Sequence, residues 1–496
     1  MRSPRRPTVS ETGSNVRRRH HGVGKLSMLD ITITSGTVVT PSGARVMDVH
    51  IADGVIAAVT LPGSEGFEAA RSIDAAGMIV VPGGVEPHAH IGGFRQPERS
   101  GAEPVSRAAI FGGTTTVLDF ATQVPGHDLL HAVDEAAERW RGQGYTDYAY
   151  HPIFGRRASE KDIGQIPELV QAGIPSFKIF TTSIRPPSPQ MEDRQTDFGR
   201  LGSIMEQVAA NGGILLVHSE DDEMVHYNYE RAEAEGRYDW WHMNEVHSRE
   251  SEDVSFRRVT RLAELKSCPI YFVHVSAVEG IQAVAAARSA GMPVYGETLH
   301  NYASFSAANY REENGMKYHT YPSLKDEADG RALWDALVDG ALSTVATDLV
   351  ATTWEEKTRF KTVADVTGGH NGIETRVGVA YTEGVVRRGM SLGRFVDITS
   401  ANPARIFGMY PQKGAIVPGS DADITIIDPS IKRKLTADDL HMNDYSIWEG
   451  FDIEGWPVTT LLRGKVAVEK GELLGSAGDG QFLKRSISSD VTSRPI

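Results

Sequence analysis

What most constrains this chain is an alternation. Apolar runs of strand length recur between residues 79 and 348, and longer helix-compatible segments such as 128–143, 199–211, 254–266 and 279–290 separate them. That rhythm builds a parallel sheet with helical crossovers. Roughly eight such units over about 320 residues fit a closed (β/α)8 barrel of the TIM type better than an open sheet. The flanks read differently. From Met28, short β-type runs and turns follow one another, in Asp30-Ile-Thr-Ile-Thr34, Gly36-Thr-Val-Val-Thr40, Val46-Met-Asp-Val-His-Ile51 and Val55-Ile-Ala-Ala-Val59. The same texture returns in Lys413-Gly-Ala-Ile-Val-Pro-Gly419, in Ala422-Asp-Ile-Thr-Ile-Ile-Asp428 and across residues 458–468. The expectation is an α/β protein in which both chain ends form one small β-sandwich domain (28–81 and 409–475) around a barrel over 82–408. Residues 1–27 and 476–496 are left as tails.

Charge separates one tail from the body. Residues 1–27 hold seven Lys/Arg and one Glu, or +6, within a chain of net charge −14, so the remaining residues carry −20. An acidic body repels phosphate backbones, which excludes nucleic acid as its partner. The basic arm has Pro, Ser and Gly but neither an apolar period nor interleaved aromatics, and reads as a disordered tail outside the fold. Forty per cent of the 496 residues are hydrophobic, enough for a large globular core, yet no run of 18 apolar residues would span a bilayer. With no secretory h-region after the basic start, the expected location is the cytoplasm. The single cysteine, Cys268, lies in an apolar run and reads as a small buried hydrophobe, so redox chemistry is not expected.

The chemistry gathers at the ends of the apolar runs. Ile79-Val-Val-Pro leads to His88-Ala-His90, Ile174-Pro-Ser-Phe to Lys178, Ile214-Leu-Leu-Val to His218, Ile270-Tyr-Phe-Val to His274, and Leu342-Ser-Thr-Val-Ala-Thr to Asp348. In a barrel the strand ends share one mouth, where catalytic residues collect. Two histidines two apart on a strand point the same way and can hold one ion together, leaving positions for a carboxylate and solvent. A His-x-His pair is weak evidence by itself, because 17 histidines in 496 residues give about 0.6 such pairs by chance. Lys178 is the odd member. A buried ammonium costs several kcal/mol unless it is paired or neutralised. Two readings stand open for it: a salt bridge to Asp348 or Glu220, or condensation of its amine with carbon dioxide into an anionic carbamate able to bridge two cations.

Taken in order, a set of motifs resembles the cyclic amidohydrolases of the amidohydrolase superfamily, in the dihydropyrimidinase/hydantoinase branch. They are Pro82-Gly-Gly-Val-Glu-Pro-His-Ala-His90, Phe111-Gly-Gly-Thr-Thr-Thr-Val-Leu-Asp-Phe120, Ser176-Phe-Lys-Ile-Phe180, Val217-His-Ser-Glu220, Val273-His-Val-Ser276, Gly296-Glu-Thr298, Asn371-Gly-Ile-Glu374 and Thr399-Ser-Ala-Asn-Pro-Ala-Arg-Ile-Phe-Gly408. The resemblance runs from Met28 to about Gly475. It implies two divalent ions, usually zinc, with His88, His90 and Asp348 on one, His218 and His274 on the other, and a carboxylated Lys178 (N6-carboxylysine) bridging them. It further implies Asp348 as the proton carrier, a small-molecule cyclic amide such as a hydantoin or dihydropyrimidine as substrate, an N-carbamoyl amino acid as product, and a homotetramer. Asn371 matches a position whose side chain or backbone binds the substrate ring; an Asn-Gly turn is the alternative reading of its side chain.

Departures from the family pattern fall on the pocket. Ser183 stands where relatives usually have a tyrosine whose hydroxyl holds the developing oxyanion, and loss of such a donor typically costs about 10²–10³ in rate unless replaced. Tyr321, in Thr320-Tyr-Pro-Ser-Leu-Lys325, stands where a substrate-binding serine is usual, and Leu349 follows Asp348 in place of a histidine. These changes point to a ring other than unsubstituted dihydrouracil, with a cyclic imide, lactam or allantoin-like ureide as alternatives. An aromatic-rich segment from His226 through Trp240-Trp241-His242 to His247 reads either as a cap on the site, a subunit contact or a helical hairpin. His300, His319 and His370 match no ligand position. Rival readings are a non-catalytic scaffold, which the complete ligand set opposes, and a mononuclear deaminase, which would have no use for Lys178.

Overall fold

The structure is a computed structural model that describes residues 28–92, 100–124, 126–155, 158–186, 197–442 and 444–496. The basic arm of residues 1–27 lies outside the described residues. Among those described, no helix is long and apolar enough to cross a membrane.

Two sheets organise the chain. The first takes strands from both flanks: β1 (Leu29–Thr40), β2 (Gly43–Ala52), β3 (Val55–Thr60), β4 (Ala69–Asp74) and β5 (Ile79–Pro82). From the far end come β15 (Ile424–Lys434), β16 (Asp452–Leu462), β17 (Lys465–Glu469) and β18 (Glu472–Leu473). Their order is β18-β17-β16-β15-β5-β1-β2-β3, with β4 beside β1. The two flanks meet where β5 lies antiparallel to β15, pairing Val80 with Ile426. An irregularity between Ile33 and Gly36 lets β1 pair with β4 along its first half and with β5 along its second. Gly36 is required there, because a Cβ would sit 2.5 Å from Val80 Cγ2. Alternate residues of these strands, such as Ile33, Val49, Val80 and Ile426, share one apolar cluster.

The second sheet is parallel and holds β6 (Gly84–His90), β7 (Thr114–Thr122), β8 (Asp147–Ile153), β9 (Ser176–Phe180), β10 (Ile214–His218), β11 (Ile270–Phe272), β12 (Val294–Leu299), β13 (Thr344–Ala346) and β14 (Leu349–Val350). β13 and β14 are one strand interrupted at Thr347-Asp348. β13 pairs with β12 while β14 pairs with β6, so eight strand positions close into a ring. Helices such as Phe198–Ala210, Arg249–Lys266 and Val278–Ser289 run between strands and bury one side each against them. This is the expected (β/α)8 barrel with a smaller domain from the chain ends.

Parity along the strands decides what fills the lumen. Ile214, Leu216, Tyr271, Val273 and Phe120 belong to an interior cluster distinct from the strand–helix core. Phe407, Leu483 and Val491 join that interior cluster. Residues 481–494 also bond to the barrel, with Leu483 N donating to Tyr148 O and Tyr295 Oη donating to the carbonyls of Val491 and Arg494. Between the two domains, Lys413 Nζ reaches Asp147, Asp421 and Asp423 at 2.5, 2.9 and 2.7 Å, and Lys413 is 1% exposed.

Candidate active site

The register of the barrel brings the metal-competent residues together. β9 and β10 pair Lys178 with Leu216 and Phe180 with His218, so Lys178 and His218 sit on the lumen side of adjacent strands. β14 pairs Leu349 with Ala89, and one residue earlier Asp348 stands beside His88. Donor atoms of His88, His90 and Asp348 all lie within 4.8 Å of one another. The rings of His88 and His274 are 5.6 Å apart, and those of His274 and His218 4.5 Å. Phe120 forms the floor, stacked on His90 at 4.5 Å with Lys178 Nζ 4.9 Å from its centroid. All six sequence-predicted ligand residues thus face one spot.

Two of them pay in backbone strain. His274 and Asp348 adopt φ of +42° and +47°, the left-handed region that costs a non-glycine residue about 1–3 kcal/mol and clusters at functional sites. The surroundings hold them there. His274 N donates to Glu297 Oε1, and Thr347 N donates to Glu86 Oε1.

Buried carboxylates orient the histidines of the cluster. Glu297, fully buried on β12, accepts from His88 Nδ1 at 2.6 Å, from His274 N at 3.1 Å and from Tyr271 Oη at 2.8 Å. A carboxylate only accepts, so His88 carries its proton on Nδ1 and turns Nε2 to the cluster. Glu86 accepts from His88 N and pairs with the buried Arg376, whose Nε is 3.0 Å away. Burial first, opposed by Arg376, brings the Glu86 carboxyl to about 7. Below His90, Asp119 accepts from Ile91 N and Trp140 Nε1, both at 2.9 Å. On the other side, His218 Nε2 lies 2.9 Å from Glu220 Oε2, which leaves Nδ1 facing the cluster.

The electrostatics describe a site made for cations. His88 Nε2 is 2.9 Å from Asp348 Oδ1 without the alignment of a hydrogen bond, and Lys178 Nζ is wholly buried with no hydrogen-bond partner among the described residues. Burial lowers the Lys178 ammonium to about 8, against the pull of Asp348 and Glu297. Burial also lowers His218 and His90, and drops His274 well below the usual imidazole value, with His218 and Lys178 adding to the effect. Asp348 stays well below the carboxylate range despite its burial, because His88 and His90 face it. Burial alone would lower His88, but Asp348, with Glu297 behind it, raises it to about 8. A proton there does what a cation between His88 and Asp348 would do, since a ligating imidazole must be neutral. Four imidazoles, a carboxylate and an unpartnered amine on one lumen fit a pair of divalent ions once the amine no longer carries its charge.

The substrate-side residues are placed less uniformly. Ser183 N donates to Asp222 Oδ1 at 2.8 Å, while its buried Oγ has no hydrogen-bond partner among the described residues. Tyr321 turns its hydroxyl to Val366 O at 3.2 Å, and its ring fills the space over Gly368, where a Cβ would come within 2.6 Å of Cδ2. Asn371 closes on the backbone of Thr352, accepting from its N and donating to its O, both at 3.0 Å. Beside these loops, Lys357 is wholly buried and donates to the carbonyls of His319, Thr367 and Gly369. His300 bonds Thr375 and Ala346 O, away from the ligand set.

Sequence reasoning quoted these carboxylates within its motifs but missed their role in orienting the histidines. Glu297 was visible as a lone acid in Val294-Tyr-Gly-Glu-Thr-Leu299, the same anomaly that marked Lys178. His247, 2.9 Å from Glu220 by its Nδ1, had no such signal, because 27 residues separate the two.

Comparison with known proteins agrees with this geometry. A profile of the amidohydrolase family matches residues 79–467. A D-hydantoinase of Streptomyces coelicolor is 34% identical over 472 residues, covering 93% of this chain and 99% of that protein. A solved D-hydantoinase structure matches with a TM-score of 0.87 at 33% identity, covering 92% of this chain and 99% of that one. The dihydropyrimidinase from Brevibacillus agri NCHU1002 matches at 0.85 with 32% identity over the same shares. The chain belongs to the amidohydrolase family, within its dihydropyrimidinase/hydantoinase branch, and is a cyclic amidohydrolase, a hydrolase acting on C–N bonds.

Proposed function

We propose that the protein opens a cyclic amide ring of the hydantoin or dihydropyrimidine kind with the help of two divalent ions, zinc in the first instance, and releases an N-carbamoyl amino acid or a related ring-opened acid. The observation that carries this reading is the wholly buried, unpartnered Lys178 Nζ among four histidines and Asp348. Its amine condenses with carbon dioxide, forming an N–C bond and releasing a proton, and the resulting carbamate replaces a buried positive charge by a two-oxygen anionic ligand. His88, His90 and Asp348 would hold one ion, His218 and His274 the other, with the carbamate between them. Bound there, the ions supply a water acidic enough to act as a nucleophile at neutral pH and a Lewis acid for the amide carbonyl.

The residues divide the remaining work. Asp348, held ionised by His88 and His90, accepts the proton of the attacking water and delivers it to the ring nitrogen as the C–N bond breaks. His90 and Asp348 are the least buried of the six side chains, at 14% and 9% exposed, so the ring approaches from their side. The Ser183 Oγ is a donor available to the carbonyl oxygen, whereas the Tyr321 hydroxyl is engaged by Val366 O. A serine in place of a phenol leaves room for a substituted ring, which favours 5-substituted hydantoins, cyclic imides or ureides over unsubstituted dihydrouracil.

Elemental analysis together with intact mass tests the reading. Two divalent ions per chain and a gain of one carbon dioxide on Lys178 are expected. Metal-free protein that still binds ring-shaped ligands would support a scaffold instead, and one ion with an unmodified Lys178 would support a deaminase. A substrate panel of dihydropyrimidines, 5-substituted hydantoins, allantoin, imides and lactams then fixes the ring, and fast turnover of dihydrouracil would contradict the preference argued from Ser183.

A further inference from the structure

The segment from Asp222 to His247 lies between β10 and the helix Arg249–Lys266, and its contacts reach the candidate ligand set. It comprises a helix, Asp222–Ala234, and the short turns Trp240–His242 and Met243–Val246. Most of its aromatic residues are half-buried packing. Two are not. Tyr229 and His247 are 3% and 0% exposed, and they stand in a single hydrogen-bonded chain that begins at His218. His218 Nε2 is 2.9 Å from Glu220 Oε2; Glu220 Oε1 is 2.9 Å from His247 Nδ1; His247 Nε2 is 3.1 Å from Tyr229 Oη; and Tyr229 Oη lies 3.2 Å from Ile184 O. The far end of the chain is the residue after Ser183, in the turn that forms the pocket wall.

His247 is pinned from its other side as well. Its carbonyl accepts from Ser323 Oγ at 3.0 Å and from the buried Lys325 Nζ at 2.8 Å, and its ring meets that of Tyr321 edge-on at 5.1 Å. A carboxylate offers only acceptors, so both His218 and His247 must direct an N–H at Glu220. Fixing that N–H on His218 fixes its tautomer and rotation, and leaves Nδ1 as the free lone pair.

We propose that His247 is a positioning residue for the reaction: through Glu220 it holds His218 in its ligating tautomer, and through Tyr229 it holds the Ser183–Ile184 turn. Ligand and pocket wall are thereby kept in register by a histidine that touches neither ion nor substrate. The proposal rests on the reading of His218 as a metal ligand, and it gives the Trp-rich insertion a task that packing alone does not.

The test uses the full chain loaded with zinc or cobalt(II), and reads ion retention against a competing chelator, the visible spectrum of the cobalt form, and kcat and KM separately. His247→Leu removes the donor to Glu220 and should weaken retention of one of two ions about 10–100-fold, with a changed cobalt spectrum. His247→Asn carries its amide N–H at the position of Nδ1, keeps the donor to Glu220 and should restore most of that loss. Tyr229→Phe should leave retention and spectrum unchanged while raising KM for bulky rings. Where leucine prevents folding, His247→Met, which also lacks a donor, takes its place with the same expectation. Wild-type retention in a folded Leu or Met variant, or an Asn variant no better than Leu, overturns the proposal. Wild-type protein that binds no metal at all sinks the metal reading itself, an outcome distinct from any variant's behaviour.

Discussion

Replacing Glu297 separates charge from shape at the ligand set. In Glu297→Gln the amide oxygen can take the place of Oε1 and keep both His88 Nδ1 and His274 N, at 2.6 and 3.1 Å in the parent. The new NH2 then faces Tyr271 Oη, which can accept it because the phenol proton has a second outlet in Thr344 Oγ1. Geometry survives and only the negative charge is lost. Hydrogen bonds to a charged group are worth about 1.5–3 kcal/mol against about 0.5–1.5 for neutral pairs, so the loss is about 1–1.5 kcal/mol. That corresponds to roughly five- to tenfold weaker retention of the ion held by His88. Glu297→Ala instead strands two buried donors, His88 Nδ1 and His274 N, at about 1–3 kcal/mol each, and frees His88 to adopt either tautomer. Retention should then fall by about 100-fold or more, with a lower unfolding midpoint. Chelator competition followed by elemental analysis reads the ions, and thermal unfolding of the apoprotein reads the fold. A Gln variant as impaired as the Ala variant, or an Ala variant that holds its ions like the parent, would refute the claim that this carboxylate orients His88.

Other perturbations give separate checks. Lys178→Ala should abolish ring opening and lower metal content, and acetate or propionate, entering the vacated volume as a carboxylate, should restore part of both; no recovery with either acid counts against the carbamate. Ser183→Tyr should shift the ratio of kcat/KM values toward unsubstituted dihydrouracil by about tenfold or more, as a pocket-filling phenol excludes substituents and adds an oxyanion donor; an unchanged ratio in the panel would rule this out. Lys413→Met leaves Asp147, Asp421 and Asp423 without their shared cation and should cost about 3–5 kcal/mol at neutral pH in denaturant unfolding. Because the Lys413 pKa is raised in the fold, through its three aspartates and against burial, the parent keeps this stability below its unfolded value and loses it only in alkali. In the variant Asp423, whose carboxyl burial already raises, takes up a proton more readily as the pH falls, so the penalty should shrink on acidification. A penalty that grows on acidification would contradict the assignment.

The sequence carried the barrel because a parallel sheet buried on both faces needs long apolar runs, and those runs are visible without a structure. It placed the candidate site residues for a related reason: a polar residue that ends an apolar run has only the barrel mouth to occupy. Parity added what spacing could not. Glu297 sits inside its strand and becomes a partner of His88 only through closure of the ring, and Glu86 meets Arg376 across 290 residues of chain. The left-handed φ at His274 and Asp348 was illegible, since the usual glycine or asparagine signal is missing from both positions. Tyr321 shows the limit for pocket residues. A hydroxyl at a substrate-binding position suggested a donor for the ring, but its direction is set by Gly368 and Val366, residues some 45 positions away that no local pattern links to it.

The pairing of β5 with β15 has a meaning for biosynthesis. β5 ends at Pro82 and its partner begins at Ile424, roughly 340 residues later. At about 5–20 residues per second, the edge of β5 waits on the order of 20–70 s on the ribosome for the strand that covers it. During that interval Ile79-Val-Val81 is an uncovered apolar edge beside a growing parallel barrel, the kind of surface that recruits neighbouring nascent chains. Slower translation across 83–423 would lengthen the exposure, so soluble yield should depend on synthesis rate and on chaperone supply more steeply than the finished fold's stability would suggest.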